Sequence, residues 1–285
     1  MRFAFIAAEK AVHSVTILCR CLRVTRSGFY AWATRGLSAR AQRDQVLRTK
    51  LRAFHVASGH RYGRPNLWKD LQEDGEAVSE KRVGRLMREE GIQGKVRRRF
   101  KTTTMSDHDD PIAANVLDRD FTAAGPNQRW VGDTSEFLIG EHGKLYLAAI
   151  LDLYSRFVVG WAISAVNDRR LTLKALEMAV RRRCPEAGLL HHSDRGCTYT
   201  CEDYQTYLAS HGIACSMSRR ADCYDNAVME AFFSTVKREE AECFPSYGDA
   251  KMALFDYIEV FYNQRRRHST IGRISPARFE RETAA

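Results

Sequence analysis

The chain has 285 residues, with 45 Lys and Arg against 35 Asp and Glu, a formal net charge of +10 and a pI near 9.3. This length allows a core domain with one or two small additional domains, and the positive charge favours a polyanionic partner. The apolar run at residues 3–8 is too short for a signal peptide, and no stretch approaches the length of a membrane span. These features argue against a secreted or membrane protein.

The cysteines argue for a reducing compartment. The eight cysteines form no Cys-x-x-Cys pair and no regular framework. Free thiols in a cytoplasmic protein are therefore expected, and neither a disulfide scaffold nor a zinc site is indicated.

The N-terminal segment predicts a pair of short helices. Residues 14–22 predict the first helix, and residues 23–32 predict a turn and a second helix capped by Thr25 or Ser27. This is the spacing of a helix-turn-helix. Short amphipathic helix pairs are common, however, so the pattern alone does not decide between DNA binding and simple packing.

A second helical region covers residues 60–94. Residues 62–65 open one helix, and Ser79 caps another helix with an apolar stripe. Three arginines lie off that stripe, as on a helix that enters a DNA groove: Arg82, Arg85 and Arg88. An extended basic linker follows, with Arg97, Arg98, Arg99 and Lys101.

Three strands in succession are predicted in the middle of the chain. The first covers residues 128–139 with Asp133 midway, and a turn with Gly140 and Gly143 follows it. The next two, at 144–153 and 156–163, are rich in Leu, Ile, Val, Tyr and Phe. The pattern indicates an antiparallel meander.

A helix and a short strand come next. Residues 170–183 have apolar positions near a 3.6-residue period, and residues 189–192 predict a strand that ends at Ser193 and Asp194. The turn leaves the Asp194 carboxylate at the C-terminal edge of that strand, where open α/β sheets bind ligands.

A helix predicted over residues 225–240 carries Glu230. At 100° per residue, Asn226, Glu230 and Lys237 share one sector, while Phe232 and Val236 lie on the far side. One face would therefore pack and the other would carry chemistry.

Three carboxylates stand in distinctive settings: Asp133 in Trp-Val-Gly-Asp-Thr, Asp194 in His-Ser-Asp-Arg-Gly, and Glu230 after Tyr-Asp-Asn-Ala. Hard cations such as Mg²⁺ prefer oxygen ligands, and carboxylates that a fold brings together hold them for chemistry at phosphodiesters. Solvated surface acids are the alternative for any three of the 35 acidic residues. The combined settings favour a site, which Ser193 and Asn226 would support.

Together these motifs resemble bacterial insertion-sequence transposases of the second-reading-frame (OrfB) type, whose catalytic core is related to retroviral integrases. The resemblance rests on the 35 residues between Asp194 and Glu230, on Lys237 seven residues later, and on Tyr-Asn-Gln-Arg-Arg-Arg-His at residues 262–268. It implies an α/β, ribonuclease H-like core with a mixed five-stranded sheet and flanking helices, preceded by small all-α helix-turn-helix regions.

The resemblance also implies a division of the chain. We expect a helix-turn-helix-like region at 1–55, a second helical DNA-binding region at 56–95, a basic linker at 96–124, the integrase-like core at 125–245, and a C-terminal helix with a basic tail at 246–285.

The implied activity is metal-dependent cleavage at the 3′ end of an insertion element, followed by strand transfer. Two Mg²⁺ or Mn²⁺ ions would be held by Asp133, Asp194 and Glu230, with Asp133 bridging them. Lys237 and Arg265 would contact DNA phosphates. The implied partners are the terminal inverted repeats, target DNA, an upstream-frame protein or fusion product, and further copies of this chain. The implied location is the bacterial cytoplasm, at the nucleoid.

Several alternatives stay open. The chain could be a catalytically inactive DNA-binding regulator, or an integrase or structure-specific nuclease with the same fold. His191 and His192 could be metal ligands, although strand alternation would put one in the core and one at the edge and favours structural roles. Lys237 and residues 265–267 could simply be solvated.

Overall fold

The computed structural model describes residues 1–95, 112–219 and 222–284. The four basic residues predicted for the linker, Arg97, Arg98, Arg99 and Lys101, lie outside the described residues. The chain forms two compact units: Met1–His60 with Asp70–Gln93, and Arg61–Lys69 with Gly94–Ala285. The expected domain limits stay predictions, and the one at residue 55 falls inside a helix, α4 (Ala39–Ala57).

The first unit begins with three short helices, α1 (Arg2–Glu9), α2 (Val15–Cys21) and α3 (Arg26–Thr34). They pack around a small apolar core of Ile6, Leu18, Cys19 and Phe29. Thr25 caps α3, since its hydroxyl accepts a hydrogen bond from the Gly28 amide at 3.1 Å. The helix pair predicted for this segment is present, and α1 is an addition to it.

The rest of the first unit is built on α4, which the sequence pattern did not predict, and on α6 (Glu80–Glu89). α5 (Arg64–Glu73) lies between them in the chain, and its residues are divided between the two units. Leu51 of α4 and Leu86 of α6 are fully buried. Ser79 caps α6 as predicted.

Ion pairs join α4 to α6. Asp44 of α4 accepts hydrogen bonds from Arg82 Nε at 2.8 Å and from Arg85 Nη2 at 2.7 Å. The hydrogen bond from Arg85, with a further one from Arg82, holds the pKa of the buried Asp44 carboxyl below its usual value. Two of the three arginines predicted to face a DNA groove therefore pair with a carboxylate inside the unit.

The second unit contains a mixed sheet with the strand order β3-β2-β1-β4-β5. The five strands are β1 (Arg129–Ile139), β2 (Gly143–Asp152), β3 (Val158–Ser164), β4 (Leu190–Ser193) and β5 (Ala214–Met217). β1, β2 and β3 form the predicted antiparallel meander, and β4 and β5 run parallel to β1. A two-residue strand, β6 (Cys243–Phe244), adds to the end of β1 and was not predicted.

Helices flank this sheet, in agreement with the predicted α/β class. They are α7 (Arg169–Arg183), α8 (Cys197–Thr200), α9 (Glu202–Ser210), α10 (Ala227–Glu239), α11 (Tyr247–Phe255) and α12 (Pro276–Thr283). A π-helical segment, Asp256–Tyr262, continues α11. Short 3₁₀ turns occur at Cys223–Asn226 and Ser269–Ile271.

One face of the sheet is covered mainly by α7 and α9. Trp130, Ile150 and Val159 of the strands share a core cluster with Ala175 and Ala179 of α7. Asp168 caps the start of α7, since its carboxylate accepts hydrogen bonds from two first-turn amides. Small residues on α7 allow the helix to approach the strands closely.

No helix in the described part of the chain has the length and apolar run that crossing a bilayer requires. The cysteines whose side chains are described are free thiols, as predicted: Cys19, Cys21, Cys184, Cys197, Cys201, Cys215 and Cys243.

Gly160 of β3 is the point of closest approach to α7. A Cβ atom there would lie 2.2 Å from the Ala175 carbonyl oxygen and 2.7 Å from Ala179 Cβ. We expect Gly160→Ala to lower the free energy of unfolding by about 1–3 kcal/mol, because the helix must move outward. Gly36→Ala is the control, since nothing lies within 4 Å of its Cβ position. Urea unfolding measures both, and equal stabilities would contradict the close packing.

Candidate active site

The pairing of β1 with β4 brings two of the three candidate carboxylates together. These strands are parallel, with Trp130 opposite His191 and Val131 opposite His192. Continued by two positions, this register sets Asp133 beside Asp194, which directly follows the last residue of β4. Neighbouring strands lie about 4.8 Å apart, so the two carboxylates share one small region.

Backbone amides orient both carboxylates. Asp133 Oδ1 accepts a hydrogen bond from its neighbour's amide, Thr134 N, at 2.7 Å. Asp194 Oδ1 accepts one from Gly196 N at 2.9 Å. A Cβ atom on Gly196 would lie 3.0 Å from Asp194 Oδ1, so a glycine at this position lets the backbone come close to the carboxylate.

The third carboxylate, Glu230, belongs to the same electrostatic environment. Burial raises the pKa of Asp133 well above its usual value, and the charges of Asp194 and Glu230 raise it further. The Thr134 amide and the Lys237 ammonium act in the opposite direction. Asp194 and Glu230 therefore each repel the Asp133 carboxylate, and a bound cation would relieve that repulsion.

Glu230 lies on the exposed side of α10, and the other side of the helix packs against β1. The packed side consists of Met229, Phe232, Phe233 and Val236. The helix starts at Ala227, two residues later than predicted, because the preceding residues form a 3₁₀ turn. The predicted division into an apolar face and a face with Glu230 is present.

Lys237 is partly buried on the same helix. Its Nζ lies 5.2 Å from the centroid of the Phe137 ring of β1. Burial lowers the pKa of Lys237, and the carboxylates of Glu242, Glu136 and Asp133 offset part of this effect. The ammonium is therefore near the candidate site and among acidic groups.

The donor set suits a hard divalent cation. Asp133, Asp194 and Glu230 offer carboxylate oxygens, which Mg²⁺ and Mn²⁺ prefer, and the repulsion of Asp133 by the other two favours a bound positive charge. Within residues 1–95, 112–219 and 222–284, no three His, Cys, Asp or Glu side chains form a group that could hold a metal ion. The three carboxylates are therefore neighbours in this structure and not an assembled ligand set.

The two residues predicted to support the site lie next to it. Asn226 is buried, and its Nδ2 donates a hydrogen bond to the carbonyl of Gly132, the residue before Asp133, at 3.3 Å. Ser193 is also buried, and its hydroxyl donates to the Asp194 carbonyl at 3.0 Å.

Asp225 has a structural role that the sequence pattern did not reveal. Its side chain is 0% exposed and accepts hydrogen bonds from Arg219 Nη2 at 2.7 Å, Arg119 Nε at 2.9 Å and Asn115 Nδ2 at 2.9 Å. The Arg219 guanidinium, aided by Arg119, holds the pKa of Asp225 far below its usual value. This carboxylate fixes the turn that leads into α10, and the only signal for it was its place in Tyr-Asp-Asn-Ala.

His191 and His192 are both fully buried, so the prediction that one would lie at an edge is wrong. β4 is an interior strand of the sheet, and both of its faces are covered. His191 Nε2 is 2.7 Å from the Tyr204 hydroxyl, and His192 Nδ1 is 2.8 Å from Ser216 Oγ. Burial lowers the pKa of His191 to about 3 and that of His192 to about 4, so both are neutral. These contacts support the structural roles that the sequence favoured.

Besides Lys237, the predicted DNA contacts fall into two groups. Arg88 and Arg265 are exposed, whereas Arg82 and Arg85 pair with Asp44.

The suggestion that residues 265–267 form a solvated patch is wrong for Arg266. That side chain is largely buried, because it pairs with the carboxylate of Glu239.

Comparisons with known proteins show which families and relatives this chain is similar to. Residues 123–223 and 211–276 match two families described as integrase core domains, and residues 41–100 match an HTH-like domain. The "Transposase InsF for insertion sequence IS3A" of Escherichia coli K12 is 39% identical over 289 residues, which covers 100% of both chains. The "Insertion element IS600 uncharacterized 31 kDa protein" of Shigella sonnei is 40% identical and covers 92% of this chain and 97% of its own.

Among solved structures, the HTLV-2 integrase catalytic core domain in complex with magnesium is 16% identical, with a TM-score of 0.43. The match covers 55% of this chain and 98% of that one.

The burial of Asp225 gives a prediction about acid stability. Asp225→Asn should lower the free energy of unfolding by about 3 kcal/mol at pH 7, near the low end for a broken buried ion pair because Arg119 and Arg219 are about half exposed. The folded-state pKa of Asp225 is depressed, so its stabilisation is present above the ordinary carboxyl pKa near 4 and is lost as the pH falls.

The difference between wild type and Asp225→Asn should therefore shrink below about pH 4. Chemical unfolding at several pH values measures it. Asp203→Asn, which breaks a surface pair with Arg169, should change stability by less than about 1 kcal/mol. If the difference in the free energy of unfolding between wild type and Asp225→Asn stayed constant from pH 7 to pH 3, an ionic role of Asp225 would be excluded.

Proposed function

The chain belongs to the IS3-type insertion-sequence transposases, and we propose that it is a DNA transposase that cleaves the 3′ ends of its element and transfers them to new phosphodiesters. One observation carries this proposal: the parallel register of β1 and β4 sets Asp133 beside Asp194, and α10 with Glu230 packs against the same strand. The chemistry is polynucleotidyl transfer.

Integrase core domains depend in general on divalent metal ions. In this chain Asp133, Asp194 and Glu230 are the residues that would hold two Mg²⁺ or Mn²⁺ ions, with carboxylate oxygens as the ligands. Such ions, when bound, lower the pKa of the attacking hydroxyl or water and stabilise the leaving oxygen. The amides of Thr134 and Gly196 orient two of the ligands.

The protein supplies positioning rather than a covalent nucleophile. In the first step, water attacks the phosphodiester at the end of the element, and a 3′-hydroxyl leaves. In the second step, that 3′-hydroxyl attacks another phosphodiester, and the displaced strand end leaves as an alcohol. Both reactions are in-line displacements that one site can perform in succession. Lys237, with its ammonium beside the site, would hold a phosphate of the bound DNA.

The partners follow from this activity. We propose that the helix-turn-helix-like region binds the terminal inverted repeats, that target DNA enters at the carboxylates, and that copies of the chain associate when two ends are joined. A protein from an upstream reading frame, separate or fused, completes the assembly. The proposed transposition takes place in the bacterial cytoplasm, at the nucleoid.

The roles of the carboxylates can be tested with isosteric amides. Asp133→Asn, Asp194→Asn and Glu230→Gln should each reduce cleavage and strand transfer to background while DNA binding is kept, because the amides retain shape but lose the charge that holds the metal. Glu141→Gln, in an exposed turn, is the matched control and should retain activity. An amide variant with near-wild-type strand transfer would remove that residue from the site.

DNA contacts can be separated by their dependence on sequence and salt. Lys237→Ala and Arg265→Ala should weaken binding to all DNA and flatten the salt slope by about one unit per lost phosphate contact. Arg88→Ala should cost about 1–3 kcal/mol on the ends of the element and little on random DNA, because contacts to base edges are made only at the matching sequence.

Arg82→Ala and Arg85→Ala need a stability measurement alongside, because each also breaks a contact with Asp44. Filter binding at several salt concentrations measures all five variants. Equal losses on terminal and random DNA for every variant would show that α6 does not read the repeats.

A further inference from the structure

The C-terminal end of α10 is held by a buried ionic cluster. Glu239 is 6% exposed and accepts two hydrogen bonds from Arg266, from Nε to Oε2 at 2.8 Å and from Nη2 to Oε1 at 2.9 Å. The hydroxyl of the buried Tyr257 donates a third, to Oε2 at 2.9 Å. We call Glu239, Arg266 and Tyr257 the Glu239 cluster.

The Glu239 cluster lies on the opposite side of the helix from Glu230. The two glutamates are nine positions apart, which at 100° per residue corresponds to a rotation of about 180° and a rise of about 13.5 Å. The burial pattern agrees with this geometry, since Glu230 is exposed and Glu239 is buried. A rotation of α10 that moved Glu230 would therefore have to pull Glu239 away from Arg266.

Two further cations hold the same helix end. Lys95 Nζ donates a hydrogen bond to the Glu239 carbonyl at 2.6 Å, and Arg61 Nε donates to the same carbonyl at 3.1 Å. Arg61 also pairs with the carboxylate of Glu240 at 2.5 Å. Positive charges at a helix C-terminus are favourable because they face the unpaired carbonyls of the last turn.

Arg266 is itself held in place by its chain neighbours. The hydroxyl of Tyr62 donates a hydrogen bond to the Arg265 carbonyl and accepts one from the Arg267 amide, both at 3.0 Å. The side chain of Asn263 exchanges two hydrogen bonds with the backbone of Val158 in β3. The motif at residues 262–268 is therefore fixed to the sheet, and the Arg266 guanidinium points into the protein.

We propose that the Glu239 cluster is a positioning device that sets the rotation of α10 and, through it, the place of Glu230 at the candidate metal site. Arg266, Glu239 and Tyr257 are positioning residues in this scheme and touch neither metal nor DNA. The proposal rests on the proposed function, because it matters for catalysis only if Glu230 is a metal ligand. It assigns the basic motif near the C-terminus a role inside the protein.

The ion pair between Arg266 and Glu239 is chemically suited to a positioning role. An arginine that makes two parallel hydrogen bonds to one carboxylate fixes both distance and angle, whereas a lysine at the same place acts as a point charge. Buried ion pairs add little net stability compared with apolar residues of similar volume, and their clearest contribution is to fix one arrangement.

The main test compares Arg266→Lys with wild type, both as the full chain. The substitution keeps the positive charge and removes the two-point contact. We expect the strand-transfer rate at saturating DNA to fall about 10- to 100-fold, because small displacements of catalytic groups have effects of this size. The Kd for DNA should change less than about twofold, and the metal concentration for half-maximal rate should rise. Tyr257→Phe keeps the ring volume and removes one hydrogen bond, so it should show a smaller loss of rate.

A second readout does not depend on activity. Amide hydrogen exchange in residues 227–240, measured without metal, should be faster in Arg266→Lys than in wild type. Arg181→Lys is the matched control, since Arg181 pairs with Glu177 on the exposed surface of α7. It should leave the rate, the Kd and the exchange of α10 unchanged.

The outcomes separate the competing explanations. Weaker DNA binding with an unchanged rate at saturation would identify Arg266 as a DNA contact and overturn the proposal. Unchanged exchange in α10 would overturn it as well, and so would faster exchange with an unchanged rate. If Glu230→Gln retained strand transfer, the proposed metal role of Glu230 would fail, while the exchange data would still report on the Glu239 cluster.

Discussion

The repulsion of the Asp133 carboxylate by Asp194 and Glu230 is the constraint on which the rest of the second unit depends. Burial and the charges of Asp194 and Glu230 raise the pKa of Asp133, so holding these groups together costs free energy when no cation is bound. Other contacts in the fold offset this free-energy cost. Parallel hydrogen bonds between β1 and β4 hold the two aspartates side by side, and the apolar face of α10 holds the glutamate against β1.

The helix that carries Glu230 is fixed by a buried carboxylate near each end. Asp225 in the turn before α10 binds Arg219 and Arg119, and Glu239 in its last turn binds Arg266. Removing one partner from such a pair is costly because a charge is left buried, so each pair strongly disfavours other positions of the helix. Fixing a helix at both ends limits its sliding and its rotation, which are the motions that would move Glu230 away from Asp133.

The order of strands and helices in the core could be predicted because each follows from a local period, and Asp194 could be assigned to a strand edge because the apolar run ends there. Other features depend on contacts between distant residues. α4 was missed because the polar residues Asp44 and His55 interrupt its buried stripe. The buried state of Asp225 and Glu239 could not be read from sequence, since their arginine partners lie elsewhere in the chain and an isolated acid is exposed by default.

The net charge of +10 does not show how many positively charged side chains are available to bind DNA. Many arginines have internal carboxylate partners, as Arg85 has with Asp44, Arg219 with Asp225 and Arg266 with Glu239. Such pairs add nothing to the counterion release that drives DNA binding, because the guanidinium charge is already compensated. The exposed side chains of Arg88 and Arg265 are better candidates for DNA contacts than the arginines that pair with internal carboxylates. Arg265 and Arg266 are consecutive in the chain, and burial rather than residue type distinguishes them.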